Sequence, residues 1–179
     1  MDIALGDTVY SFGNYDYDKK HRKFFGLVWE GVLFTCNREK YMNFSLNVLH
    51  NVIISYRLRL SDMEKATIRE HLQTLKKNCH PWLPDQKSRY ARALSRLGAD
   101  LFKFNKGAFR TYFVFNANCA FLVETLLSGT RLPRLRSGKG LVSPGSLIIS
   151  YELENMRKHG GIESRQIYAG SCLPPVLQL

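Results

Sequence analysis

The stretch FRTYFVFNANCAFLVETLLSG, running from Phe109 to Gly129, decides how the rest of the chain is arranged. Phe109, Thr111, Phe113 and Phe115 alternate with Arg110, Tyr112 and Val114, so aromatic and β-branched residues fall on both faces. Such a run predicts a strand buried on both sides, at the centre of a sheet. Asn116, Ala117 and Asn118 interrupt it, and asparagine is favoured where a helix begins. From Cys119 the period becomes helical, with Cys119, Leu122, Val123 and Leu126 on one face and Gly129 as the stop. The unit is a strand, an Asn-rich turn and a helix, with a cysteine in the helix's first turn.

That position has chemical consequences. The first turn of a helix holds unpaired N–H groups and the positive end of the macrodipole, which favour thiolate over thiol. The same N–H groups can stabilise an oxyanion formed when a thiolate attacks a carbonyl. Cys119 is therefore a candidate nucleophile. Its place on the apolar stripe of its own helix supports a competing reading as an ordinary core cysteine.

The chain around this unit has 179 residues, enough for one domain with a core of its own. A single domain over residues 1–170 with a loose tail over 171–179 is expected. Hydrophobic residues make up 45%, which places the chain among globular proteins and not disordered ones. No apolar run reaches the length of a membrane span. Met1 to Ser11 has neither a basic start nor an apolar core, so no signal peptide is visible and the cytoplasm is the default compartment. Cys36, Cys79, Cys119 and Cys172 show no C-x-x-C spacing, so neither a metal cluster nor a disulfide framework is expected.

Charge is the clearest compositional signal. Lys and Arg number 26 against 15 acids, a net +11. Such a surplus favours polyanionic surroundings: nucleic acid, anionic lipid or an anionic cell-wall polymer. Arg89, Arg92 and Arg96 share one face of a helix expected over Gln86 to Leu97, an exposed basic stripe that could hold phosphates. Arg131 to Gly140 forms a basic loop. It contains Gly-Lys but lacks the first glycine and the Ser or Thr of a phosphate-binding loop.

Elsewhere, Ile3–Leu5 and Thr8–Phe12 predict two short strands around Gly6-Asp7, and Val32–Phe34 another. Tyr15 to Asp18 read as a solvated loop. Asn37 can cap a brief helix. Asn51 to Leu60 alternates as a half-buried strand near an edge, followed by the capping box Ser61 to Glu64 and a helix on which His71 is a boundary residue. Asn78 to Asp85, containing Cys79-His80, reads as loop. Leu101–Phe104 and Phe109–Phe115 predict a hairpin across Asn105-Lys106-Gly107. Ser143-Pro144 starts a helix to about Lys158 with an apolar stripe of Ile149, Leu153 and Met156, and Ile162 to Tyr168 is a last strand. Short strands, hairpins and helices in mixed order predict α+β with a largely antiparallel sheet.

Taken together, Tyr10-Ser11-Phe12-Gly13-Asn14-Tyr15, Tyr112 to Cys119 and Ser143-Pro144-Gly145 resemble a bacterial group, the permuted papain-like thiol hydrolases related to cell-wall peptidases and amidases. The resemblance spans roughly Asp7 to Tyr168. It implies a papain-like α+β fold, cleavage of an amide or ester bond in a peptide or acyl substrate, Cys119 as nucleophile, and no metal or organic cofactor. It also implies a histidine in a Gly-His strand just before the segment matching Tyr10 to Tyr15, and no histidine precedes Tyr10 here. Thiol hydrolysis needs a base and an acid. Three explanations stay open: the histidine strand is lost, another histidine (His50 foremost, beside a strand) has taken its place, or the protein is an inactive relative. A non-catalytic binding module for anionic polymers is the alternative class of function.

Overall fold

The computed structural model describes residues 1–16, 28–84, 89–113, 117–132, 143–157 and 160–170, without the side chain of residue 89. Gly6, at φ 59°, turns the chain in the left-handed region that a residue without Cβ enters freely. Asp2–Leu5 (β1) therefore pairs antiparallel with Thr8–Gly13 (β2). Val28–Glu30 (β3) leads through Gly31 into Val32–Asn37 (β4), which pairs with β2. Gly31 has no room for a side chain: a Cβ there would lie 2.2 Å from the Phe109 carbonyl and 2.5 Å from the Phe12 ring. Asn37 caps Arg38–Asn43 (α1) by accepting the Lys40 N–H at 3.2 Å, and a π turn over Phe44–Val48 follows.

Next come Ile53–Leu58 (β5), Asp62–Lys77 (α2), Cys79–Pro81 (β6), Arg89–Arg96 (α3) and Asp100–Phe104 (β7). Thr111–Phe113 (β8), Cys119–Leu126 (α4), Pro144–Asn155 (α5) and Ile162–Tyr168 (β9) complete the chain order. The principal sheet runs β1-β2-β4-β7-β6, and β3-β8 and β5-β9 form two-stranded sheets. All pairings among the described residues are antiparallel, so the architecture is α+β, as the element pattern predicts.

Register and strand alternation give the principal sheet two distinct faces. One carries Ile3, Phe12, Leu33 and Phe104, packed with Ile68 and Leu72 of α2 and Ala120, Leu122, Val123 and Leu126 of α4. The other carries Val32, Phe34, Cys36 and Leu101 against Phe44 and Ala91 and Leu94 of α3. The capping box expected at Ser61 forms, and Glu64 reaches further, accepting the Arg131 N–H at 2.9 Å. The Arg131 and Ser61 N–H groups, with the Ser61 hydroxyl, hold its carboxyl down at about 2.

Several expectations are corrected. The centre of the sheet is β4, five of whose six residues are buried, and not the 109–115 run. Gly107, at φ 88°, leads into a 3-10 turn over Ala108–Arg110, which takes Phe109 out of strand geometry. β8 then pairs only with β3 among the described residues, and 114–116 lie outside them. The aromatic run is buried by ring packing: Phe109 stacks on Phe121 at 4.9 Å and meets Phe12 edge-on at 5.1 Å. The predicted 101–115 hairpin does not form, because β7 is already paired on both edges by β4 and β6. β6 itself falls in the expected loop, and Pro81 can join it only because it ends an edge strand. On α5 the expected stripe is the outer face. Ile149, Leu153 and Met156 are exposed, while Leu147, Tyr151 and Glu154 face inward. Tyr151 meets Tyr56 edge-on, and Glu154 accepts the Gly161 N–H at 2.7 Å, so a carboxylate with a partner displaces an apolar side chain from the buried stripe.

Candidate functional site

Asn118 is buried beneath the start of α4 and fixes it. Its Oδ1 accepts the N–H groups of Ala120 at 3.0 Å and Phe121 at 3.2 Å, and its carbonyl accepts that of Leu122. The expected cap is therefore present. It also commits two first-turn N–H groups to Asn118, so these are not the donors that an oxyanion would use while the cap is intact. A further hydrogen bond, Phe113 N–H to the Ala117 carbonyl at 2.9 Å, closes the chain between β8 and α4.

Cys119 stands half-buried at the first position of α4, with Leu122, Val123 and Leu126 of the same stripe fully enclosed. Two ionisable groups face its sulfur. The α-amino group of Met1, one residue ahead of β1, makes a hydrogen bond with Cys119. Burial pulls this ammonium down, but the charges of Asp2 and Cys119 and that hydrogen bond outweigh burial and leave it raised. The Tyr112 phenol is raised first by burial and then by the charge of Cys119.

The other described cysteines differ. Cys36 is buried in the second core, and burial raises its thiol. The Cys79 thiol is pushed up to about 11 by burial, against a smaller opposing effect of Lys76, and it bonds to the Leu75 carbonyl. Cys172 lies outside the described residues.

None of the described histidines makes a hydrogen bond with Cys119. His71 is a boundary residue, its Nδ1 3.2 Å from the Leu126 carbonyl at the far end of α4. That end is about 10 Å along the helix axis from Cys119. His80 lies in register with Lys103, on the opposite face of the principal sheet. His50 stands exposed in a left-handed conformation (φ 53°) ahead of β5, with no hydrogen bond to Cys119 among the described residues. His21 and His159 lie outside those residues.

The basic stripe is less uniform than its spacing suggests. Arg96 is exposed, whereas Arg92 is only partly so, and its Nε is buried with no hydrogen-bond partner among the described residues. The side chain of Arg89 and most of the Arg131–Gly140 loop lie outside the description. No described helix is long and apolar enough to cross a membrane.

One polar cluster escapes sequence reasoning altogether. Asp16, read as part of a solvated loop, is buried and bonds to Lys103 at 2.7 Å. Lys103 also bonds to Glu30 and lies 4.5 Å from the centre of the Trp82 ring. These partners are far apart in sequence, so no local pattern announces them.

No family model matches this chain, and neither a curated protein nor a solved structure matches it.

Proposed function

We propose that the protein is a thiol hydrolase of papain-like design, cleaving amide or ester bonds, with substrates in the bacterial cell envelope. The observation that carries this reading is the half-buried Cys119 at the Asn118-capped start of α4. β1 supports it as well. It is the strand just before Tyr10–Tyr15, the place where the resemblance puts a histidine strand, and its amino-terminal end is the end at Cys119.

In this reading the Cys119 thiolate attacks the carbonyl carbon and forms a thioester. The amine or alcohol leaves with a proton from a general acid, and water then releases the acid product. A base serving both steps would, in this reading, stand at the start of β1, where the resemblance puts a histidine. The net charge of +11 supports the second reading, a binding module for anionic polymers, although the partial burial of Arg92 weakens the arginine stripe as its surface.

Mass-spectrometric iodoacetamide labelling at neutral pH separates the two. Cys119 is expected to label at least about tenfold faster than Cys36 and Cys79, because thiolate fraction and access set the rate. A chain carrying Gly-His immediately ahead of Asp2 is expected to hydrolyse amide or ester substrates, and its Cys119→Ala variant is not. Slow labelling of Cys119, together with polyanion binding that falls steeply with salt, would replace the hydrolase with the binding module.

A further inference from the structure

On the sheet face away from Cys119, a cleft of about 370 Å³ opens between the end of β3, the β6–β7 edge and the 3-10 turn before β8. Among the residues that line it are Glu30, His80, Trp82, Lys103, Asn105 and Arg110. Its size is in the range of small-molecule sites. Its floor is rigid, because Lys103 is held by Asp16 and Glu30 with its ammonium over the Trp82 ring. The positive charge of Lys103 is thereby compensated.

His80 and Arg110 both present groups that a ligand can use. His80 Nδ1 lies 2.7 Å from Asn105 Oδ1. An amide oxygen only accepts, so Nδ1 donates in this bond, and the neutral form of the ring then presents a lone pair at Nε2. The Asn105 backbone is itself fixed, its N–H bonded to the Asn78 carbonyl at 2.9 Å. Arg110 is exposed, and its guanidinium has neither an ion pair nor a hydrogen bond among the described residues. Its carbonyl accepts the Gly31 N–H at 3.0 Å, which anchors the residue at the cleft wall.

A guanidinium fork matches a planar carboxylate through two parallel hydrogen bonds. A dianionic phosphate meets more repulsion from the nearby Asp16 and Glu30 carboxylates than a single charge does. His80 Nε2 calls for a donor on the ligand, and the Trp82 ring supplies an apolar wall. We propose that this cleft binds a small monocarboxylate bearing an N–H or O–H donor, its carboxylate on Arg110 and its donor on His80.

The test is titration of the whole chain with N-acetylglycine, glycolate, acetate and inorganic phosphate, followed by calorimetry and tryptophan fluorescence. N-acetylglycine is expected to saturate in the millimolar range. Arg110→Gln should weaken it at least about tenfold. His80→Phe should weaken N-acetylglycine and glycolate but not acetate. Both residues are exposed, so circular dichroism and melting temperature should be unchanged and report any misfolding. Cys119→Ala should leave binding intact, which separates this site from the hydrolase reading. No saturable carboxylate binding, affinity unaffected by Arg110→Gln, or phosphate bound more tightly than N-acetylglycine would each overturn the proposal.

Discussion

The two faces of the principal sheet are built by different means. The face toward α2 and α4 is held by hydrocarbon: Phe12 meets Phe104 at 5.9 Å and Phe109 at 5.1 Å, both edge-on, and Phe109 continues onto Phe121. The face toward α1 and α3 mixes hydrocarbon with polar tips. Tyr15 stacks on Tyr90 while its hydroxyl bonds to Ser11 at 2.7 Å, and the Tyr41 hydroxyl donates to Asp2 at 2.8 Å. Ring packing leaves Cys119 half-buried at the rim of the first face, whereas the phenols and the Lys103 cluster require fixed partners. The first face thus suits one reactive atom at its rim, and the second suits a ligand that must find oriented polar groups.

Four substitutions sharpen this contrast, the fourth serving as the buried control for the third. Phe12→Ala removes the ring at the junction of the first face, and because its surroundings are closed the cost should be about 3–5 kcal/mol, read by urea unfolding. A loss below about 1 kcal/mol would mean that the aromatic cluster does not organise that face.

Tyr41→Phe on the second face should cost less, about 1–2 kcal/mol at neutral pH, for one hydrogen bond to a carboxylate. Its pH dependence is the more specific sign. Burial, then the charge of Asp2, raises the Tyr41 phenol well above its ordinary value. The folded state therefore keeps this proton when the unfolded chain loses it, above about pH 10. The contribution is complete below that pH and is lost as pH rises further. Melting curves should fall less steeply above pH 10 in Tyr41→Phe than in the parent, and parallel alkaline limbs would show that this phenol is not enclosed.

The smallest effect tests α5. Leu153→Ser should change stability by no more than about 0.5 kcal/mol, because the side chain is exposed. Leu147→Ala on the buried stripe should cost about 2–4 kcal/mol. Equal losses would return the helix to the face that its apolar residues suggest.

Much of this architecture is legible wherever one short segment contains both the cause and its effect. The Gly6 turn, the Asn37 and Asn118 caps, the Ser61–Glu64 capping box, Pro144 at the first position of α5 and the helical stripe from Leu122 to Leu126 all arise from neighbours within four residues. Hydrogen bonds at helix ends and steric limits on φ are local, so sequence determines them, as it determines Cys119 in a first turn. The tertiary structure alone decided which strand became central, because hydrogen-bond edges are filled by partners remote in sequence: β2 and β7 took both edges of β4, and β6 closed β7. Burial of Asp16 required Lys103, and the inward turn of Glu154 required the Gly161 N–H. A charge or carboxylate enters a core only when its partner arrives there, and the identity of that partner is a property of the folded chain.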